Sequence, residues 1–205
     1  KSIVIDLKSE DGKKKFLSLV EKADVLVENF RPGVMDKLGL GFNSLKKINN
    51  RLIYAAISGF GNPQFGKSPY LYWPSYDVVA QAMGGIIGIT GPDKNTPTKV
   101  GPGVGDIFSG LMMSFGIISA LRMAEKTSKG QFIDLSMYDA VLSLCERIIY
   151  QYDFDNSIPK PEGNGHPLLV PFGIYKSKDG HIALGIVDNS FWKILTNIIG
   201  NKELV

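Results

Sequence analysis

A single cysteine, Cys145, occurs in the 205 residues. It excludes an internal disulfide and any thiolate metal cluster. It lies in the apolar run VLSLCERII, where a small buried hydrophobe is the ordinary role. With only two histidines, His166 and His181, no zinc site is expected. Charge of one sign is also scarce. The 23 basic and 20 acidic residues leave a net +3, too little to imply nucleic acid. No G-x-G-x-x-G follows a strand, and neither a P-loop nor a G-x-S-x-G elbow occurs. A nicotinamide cofactor, Walker-type nucleotide binding and a serine-hydrolase site are therefore unsupported. The longest apolar run, near Ile107–Ala120, is broken by Ser and Gly and looks too short to span a bilayer. No membrane is expected. The chain opens on Lys1-Ser2 without Met, so a natural N-terminus upstream is expected. One cysteine and no visible signal segment make the cytoplasm the expected location.

What is present is ordinary globular composition, 44% hydrophobic and 21% charged. Ile3–Leu7 is β-branched and predicts a strand. Residues 10–22 space apolar side chains as an amphipathic helix, and Val25–Val27 predicts a second strand. Strand, helix, strand makes a βαβ unit with a parallel sheet. Short helices at 34–38 and 44–48, a buried strand Leu52–Ile57, a Gly/Pro/aromatic loop 59–74 and a helix at 76–83 follow. A long apolar helix, 107–125, is expected after Asp106, then a strand 131–135 and a helix 137–152. Residues 153–171 hold four prolines and mark a linker or active-site loop. A hairpin, 172–176 with 181–187, and a helix at 191–199 close the chain.

Four constellations carry chemistry. Asp106 follows Gly101, Gly103 and Gly105. Bare glycines let backbone approach a ligand, and a helix N-terminus favours an ionised carboxylate able to attack an acyl group. The same pattern fits a plain N-cap. The segment ENFRPG, Glu28–Gly33, follows a parallel strand, on the side where α/β sheets bind ligands. Asn29 and Arg31 offer donors and Phe30 a stacking face, although an ordinary strand-to-helix loop fits equally. Tyr76 and Asp77 open a helix; Asp77 is either a second working acid or a cap. Gly163–His166 is either a lid or a surface turn.

The order of the blocks is more specific than any one of them. ADVLVENFRPGVMDKLGLG, NNRLIYAAISGFG, YDVVAQAMGGIIGITG, VGPGVGDIFSGLMMSFGIISAL and GQFIDLSMYDAVL follow in turn. Together they resemble the class III CoA-transferases, the CaiB/BaiF group that includes formyl-CoA and carnitine CoA-transferases. The resemblance implies an α/β fold: a Rossmann-like large domain with a mainly parallel sheet, and the start of a smaller α+β domain. The expected division is 1–152 for the large domain, 153–171 for the linker and 172–205 for the small one. It also implies a fragment of a longer protein whose full-length form is an interlocked homodimer.

Carried over by position, Asp106 is implied as the nucleophile. Asn29, Phe30, Arg31, Lys37, Tyr76 and Asp77 are implied as contacts to the CoA ester. Lys37 replaces an arginine, keeping the charge and losing the bidentate fork. The implied reaction moves CoA from an acyl-CoA to a carboxylic acid through aspartyl anhydride and thioester intermediates. Glycine-loop N–H groups would face the oxyanions. Coenzyme A is then a co-substrate, with no permanently bound cofactor and no metal. One alternative is α-methylacyl-CoA racemase chemistry, but the histidine that it uses is Tyr76 here, and a tyrosine with an ordinary pKa near 10 is a poor base. Another is a non-catalytic CoA-ester-binding fragment. The acid pair is not legible.

Overall fold

A computed structural model describes residues 1–204. Its contacts divide the chain into two compact units. The first holds Lys1–Ile86 and Val100–Tyr150; the second holds Ile87–Lys99 and the chain from Gln151 onward.

Unit 1 is built on three parallel strands in the order β1 (Val25–Glu28), β2 (Ile53–Ser58), β3 (Phe132–Ser136). The central strand explains the run LIYAAI. Alternate residues of a strand face opposite sides, and both sides are covered. Leu52, Tyr54 and Ala56 pack with Val20, Met35, Leu40 and Leu45 on one side. Ile53 packs with Ala120 and Ala124 on the other. Helix α1 (Glu10–Val20) is capped by Ser9, whose Oγ accepts from Gly12 N at 3.0 Å. The short helices α2 (Val34–Lys37) and α3 (Phe42–Leu45) close the first layer, α3 starting two residues before the expected 44–48. The long α6 (Val104–Thr127) covers the other face, and helix α4 (Asp77–Met83) packs against α6. The short helix α5 (Ile86–Ile89), which local pattern did not announce, lies where the two units divide.

Three sequence expectations are corrected. Residues 3–7 form no strand: Ile3 and Val4 are exposed, and no described strand pairs with them. β-Branched propensity without a ladder partner does not make a strand. The expected helix 137–152 is two helices, α7 (Met137–Leu144) and α8 (Glu146–Asp155). Cys145 leaves the helical region at φ −101°, ψ 21°, and its N–H closes on Leu142 O at 2.9 Å, ending α7. Finally, α6 is 24 residues long and by length and composition apolar enough to cross a membrane, contrary to the reading of a run too short. A core helix passes that test too. Its small residues Gly105, Ser109, Ala120 and Ala124 are buried, so one stripe of α6 packs within unit 1.

Unit 2 contains the antiparallel hairpin β4 (Phe172–Lys176) and β5 (His181–Gly185), and helix α9 (Asn189–Ile199). Asp188 caps α9, accepting from Ser190 N at 2.8 Å and Phe191 N at 3.1 Å. Hydrogen bonds from Ser190 and Phe191 hold its carboxyl below the ordinary range. Gly163 N donates to Gly91 O at 3.0 Å, tying the 87–99 excursion to the Gly163–His166 stretch.

Candidate active site

The three strands of unit 1 end together, and the loops leaving their carboxyl ends enclose a cleft of about 550 Å³. This is the edge of a parallel sheet where ligands bind. β1 contributes Asn29, Phe30 and Arg31; β2 contributes Ile57, Ser58 and Gly59; the end of β3 leads into Met137. The loop 73–76 supplies Trp73, Pro74, Ser75 and Tyr76, and α6 supplies Asp106 and Ser109. Five expected residues therefore line one cleft: Asn29, Phe30, Arg31, Tyr76 and Asp106.

The β1 loop is held from both sides. Asn29 Nδ2 donates to Ile57 O at 2.7 Å, stitching the ends of β1 and β2. Phe30 N donates to Glu28 Oε2 at 2.7 Å, and Tyr54 Oη reaches Glu28 Oε1 at 3.4 Å. Burial pushes the Glu28 carboxyl above its usual range. One Asn29 N–H thus serves the fold. Arg31 is the cation of the cleft wall; Lys37 sits exposed on α2 and is not part of that wall.

Asp106 is not a cap. Gly103 occupies the N-cap of α6, and Asp106 lies in its first turn with an exposed side chain. The capping acceptor comes from another helix. Asp77 Oδ1 accepts from Gly105 N at 2.8 Å, and Asp77 Oδ2 accepts from Gln81 Nε2 at 2.8 Å. Gln81 is fully buried, and its Oε1 accepts from Val100 N at 2.9 Å. Asp77 and Gln81 therefore bracket the 100–105 approach to Asp106. Gly105 is bare for packing, not for ligand access: a Cβ there would stand 3.1 Å from Ala80 Cβ and 3.2 Å from Asp77 O. Its N–H is committed to Asp77 and that of Val104 to Pro102 O at 2.9 Å, so neither faces an oxyanion.

Desolvation and then the Asp77 charge push the Asp106 carboxyl above the ordinary aspartate range. Both work against the helix dipole, which favours the anion. Asp77→Asn removes that like charge, so the acid limb of the pH–rate profile of the full-length protein is expected to move to lower pH. Asparagine offers one acceptor oxygen to two donors, so a fall in stability of about 1–3 kcal/mol is also expected, measured by denaturant unfolding.

Sequence reasoning missed Ser58, Ser109, Trp73 and Gln81. Ser58 was findable, because it sits at the carboxyl end of a central parallel strand. Gln81 was not, since its partners are tertiary. A second cleft of about 450 Å³ lies under the 60–71 loop, beside Asp134 and Asp139, and holds none of the expected residues. Both histidines, including that of the Gly163–His166 stretch, belong to unit 2. Among the described residues no cluster of His, Cys, Asp and Glu could hold a metal ion.

Comparison with known proteins places the chain in a family. The succinyl-CoA:mesaconate CoA-transferase of Haloarcula hispanica is 42% identical over 204 residues, which is 100% of this chain and 52% of that protein. The acetyl-CoA:oxalate CoA-transferase of Acetobacter aceti is 42% identical over 99% of this chain and 51% of its own length. The crystal structure of a CAIB/BAIF family protein from Brucella suis superposes with a TM-score of 0.85 at 36% identity, covering 98% of this chain and 52% of that one. The chain thus spans about half the length of the relatives it matches. The model of CoA-transferase family III matches residues 1–205, and the chain belongs to that family.

Proposed function

We propose that the full-length protein transfers CoA from an acyl-CoA thioester to an acceptor carboxylic acid, with Asp106 as nucleophile. The observation that carries this is the cleft itself: one carboxylate, that of Asp106 in the first turn of α6, lines the same cleft as the Asn29–Arg31 loop at the carboxyl edge of a parallel sheet. The Asp106 carboxylate attacks the thioester carbon and CoA leaves as thiolate, giving a mixed anhydride. The thiolate attacks the aspartyl carbonyl, freeing the donor acid and leaving an aspartyl-CoA thioester. The acceptor carboxylate runs the exchange in reverse. Phe30 and Tyr76 offer aromatic faces to the CoA ester, and Arg31 offers charge to its phosphates or to an acid's carboxylate. Coenzyme A enters and leaves as co-substrate, and the proposed setting is the cytoplasm.

The named relatives act on small dicarboxylic acids, mesaconate and oxalate, which supports a small acid as acceptor. A homodimer is part of the proposal. Ile107, Leu111, Phe115 and Ile118 form an exposed apolar stripe on α6, and contiguous apolar surface of this kind is what a protein partner covers.

The test is mass spectrometry of the full-length protein incubated with succinyl-CoA. A covalent adduct confined to the peptide carrying Asp106 is expected. Deuterium entering the α-carbon of a 2-methylacyl-CoA, with no adduct, would overturn transfer in favour of racemisation. CoA binding with neither outcome would leave only a binding protein.

A further inference from the structure

Among the described residues that line the cleft, Ser58 carries the one buried side-chain polar atom without a hydrogen-bond partner. Ser58 is 7% exposed, and its Oγ makes no hydrogen bond. The other hydroxyls that line the cleft are differently placed. Ser109 Oγ donates to Gly105 O. Ser75 Oγ reaches Tyr76 O at 3.5 Å. Tyr76 is 78% exposed and open to water. A buried hydroxyl without a partner is destabilising, and such groups are rare unless a ligand, water or reaction uses them.

Ser58 is the last residue of β2, paired in register with Ser136 of β3 and directly before the cleft residue Gly59. Its backbone is therefore fixed by the sheet, and only χ1 is free. The hydroxyl is shielded from bulk water. Rotation between staggered χ1 wells turns a serine Oγ without moving its backbone. Two backbone donors beside Asp106 are already committed, Gly105 N–H to Asp77 and Val104 N–H to Pro102.

We infer that Ser58 is a catalytic hydrogen-bond donor, its hydroxyl turning to the acyl oxygen of the bound thioester as Asp106 attacks. The new C–O bond forms from the Asp106 carboxylate while the carbonyl π pair moves onto oxygen. Ser58 hydrogen-bonds that oxygen and keeps its proton. Collapse restores the carbonyl, breaks the C–S bond and releases CoA thiolate. The donor acts most strongly where charge develops, so the effect falls on kcat more than on KM.

The inference deepens the Asp106 reading, and the test separates the two. Wild type, Ser58→Ala and Ser58→Thr of the full-length protein are compared with succinyl-CoA. Adduct formation at Asp106, transfer kinetics and thermal unfolding are followed. Ser58→Ala is expected to lower kcat and the rate of adduct formation on the order of 10²-fold, with KM within about threefold. It is also expected to unfold no earlier than wild type, since an unsatisfied buried group has been removed. Ser58→Thr keeps the hydroxyl and a side chain suited to a strand, and should recover most of kcat. Equal rates in wild type and Ser58→Ala overturn the role of Ser58 and leave Asp106 standing. An earlier unfolding of Ser58→Ala, or no recovery by Thr, assigns Ser58 to structure and also overturns it. A wild type without adduct overturns the Asp106 reading and this inference with it.

Discussion

Asp106→Ala in the full-length protein is expected to lose CoA transfer by a factor on the order of 10⁴ or more, the scale seen when a covalent nucleophile is deleted. Stability is expected to stay within about 0.5 kcal/mol of wild type. The two parts of that result follow from one geometric fact. Asp106 lies in the first turn of α6 but does not cap it; Asp77 does, through Gly105 N. Removing Asp106 therefore breaks no cap, and it removes a charge that repels Asp77. Asp77→Ala separates the roles from the other side. It uncaps α6 and removes the closer acceptor of Gln81 Nε2, so it should destabilise by about 2–4 kcal/mol, more than Asp77→Asn, while keeping a nucleophile. Steady-state transfer kinetics beside urea unfolding measure both. Transfer within tenfold of wild type in Asp106→Ala would sink the mechanism.

Legibility in the sequence followed the range of the interactions. β2 was legible because its run of apolar residues reports burial on both faces, a local consequence of a covered parallel sheet. The Asn29–Arg31 loop and Asp106 were legible because their blocks come in a specific order, and the cleft brings them together. What failed was tertiary. No local signal shows that Asp77 caps a helix 28 residues onward, so the local pattern alone favoured Asp106 as the cap. Ile3–Leu7 carries strand propensity, but no described strand lies beside it. Residues 87–99 join unit 2 through contacts such as Gly163 N to Gly91 O, which composition does not record. Lys37 followed the family pattern into an exposed position outside the cleft wall.

Helix α6 supplies the second large effect, since its two apolar faces look alike in sequence and differ in packing. Ile53 is fully buried against Ala120 and Ala124 of α6, with Val25, Leu121 and Ile133 around it. Ile53→Ala opens a cavity between the sheet and the helix that carries Asp106, and a loss of about 2–5 kcal/mol is expected. The loss should not depend on protein concentration, because every contact lies within unit 1. Phe115, 75% exposed on the other face of the same helix, has no comparable packing. If that stripe is the proposed dimer face, Phe115→Ala in the full-length protein lowers stability only through association, so its midpoint of unfolding moves with concentration. Denaturant melts at two concentrations a hundredfold apart read both variants. A concentration-independent midpoint for Phe115→Ala, with sedimentation unchanged from wild type, would remove α6 from the interface. The cavity at Ile53 would remain, because that prediction depends only on which side of the sheet each residue of β2 faces.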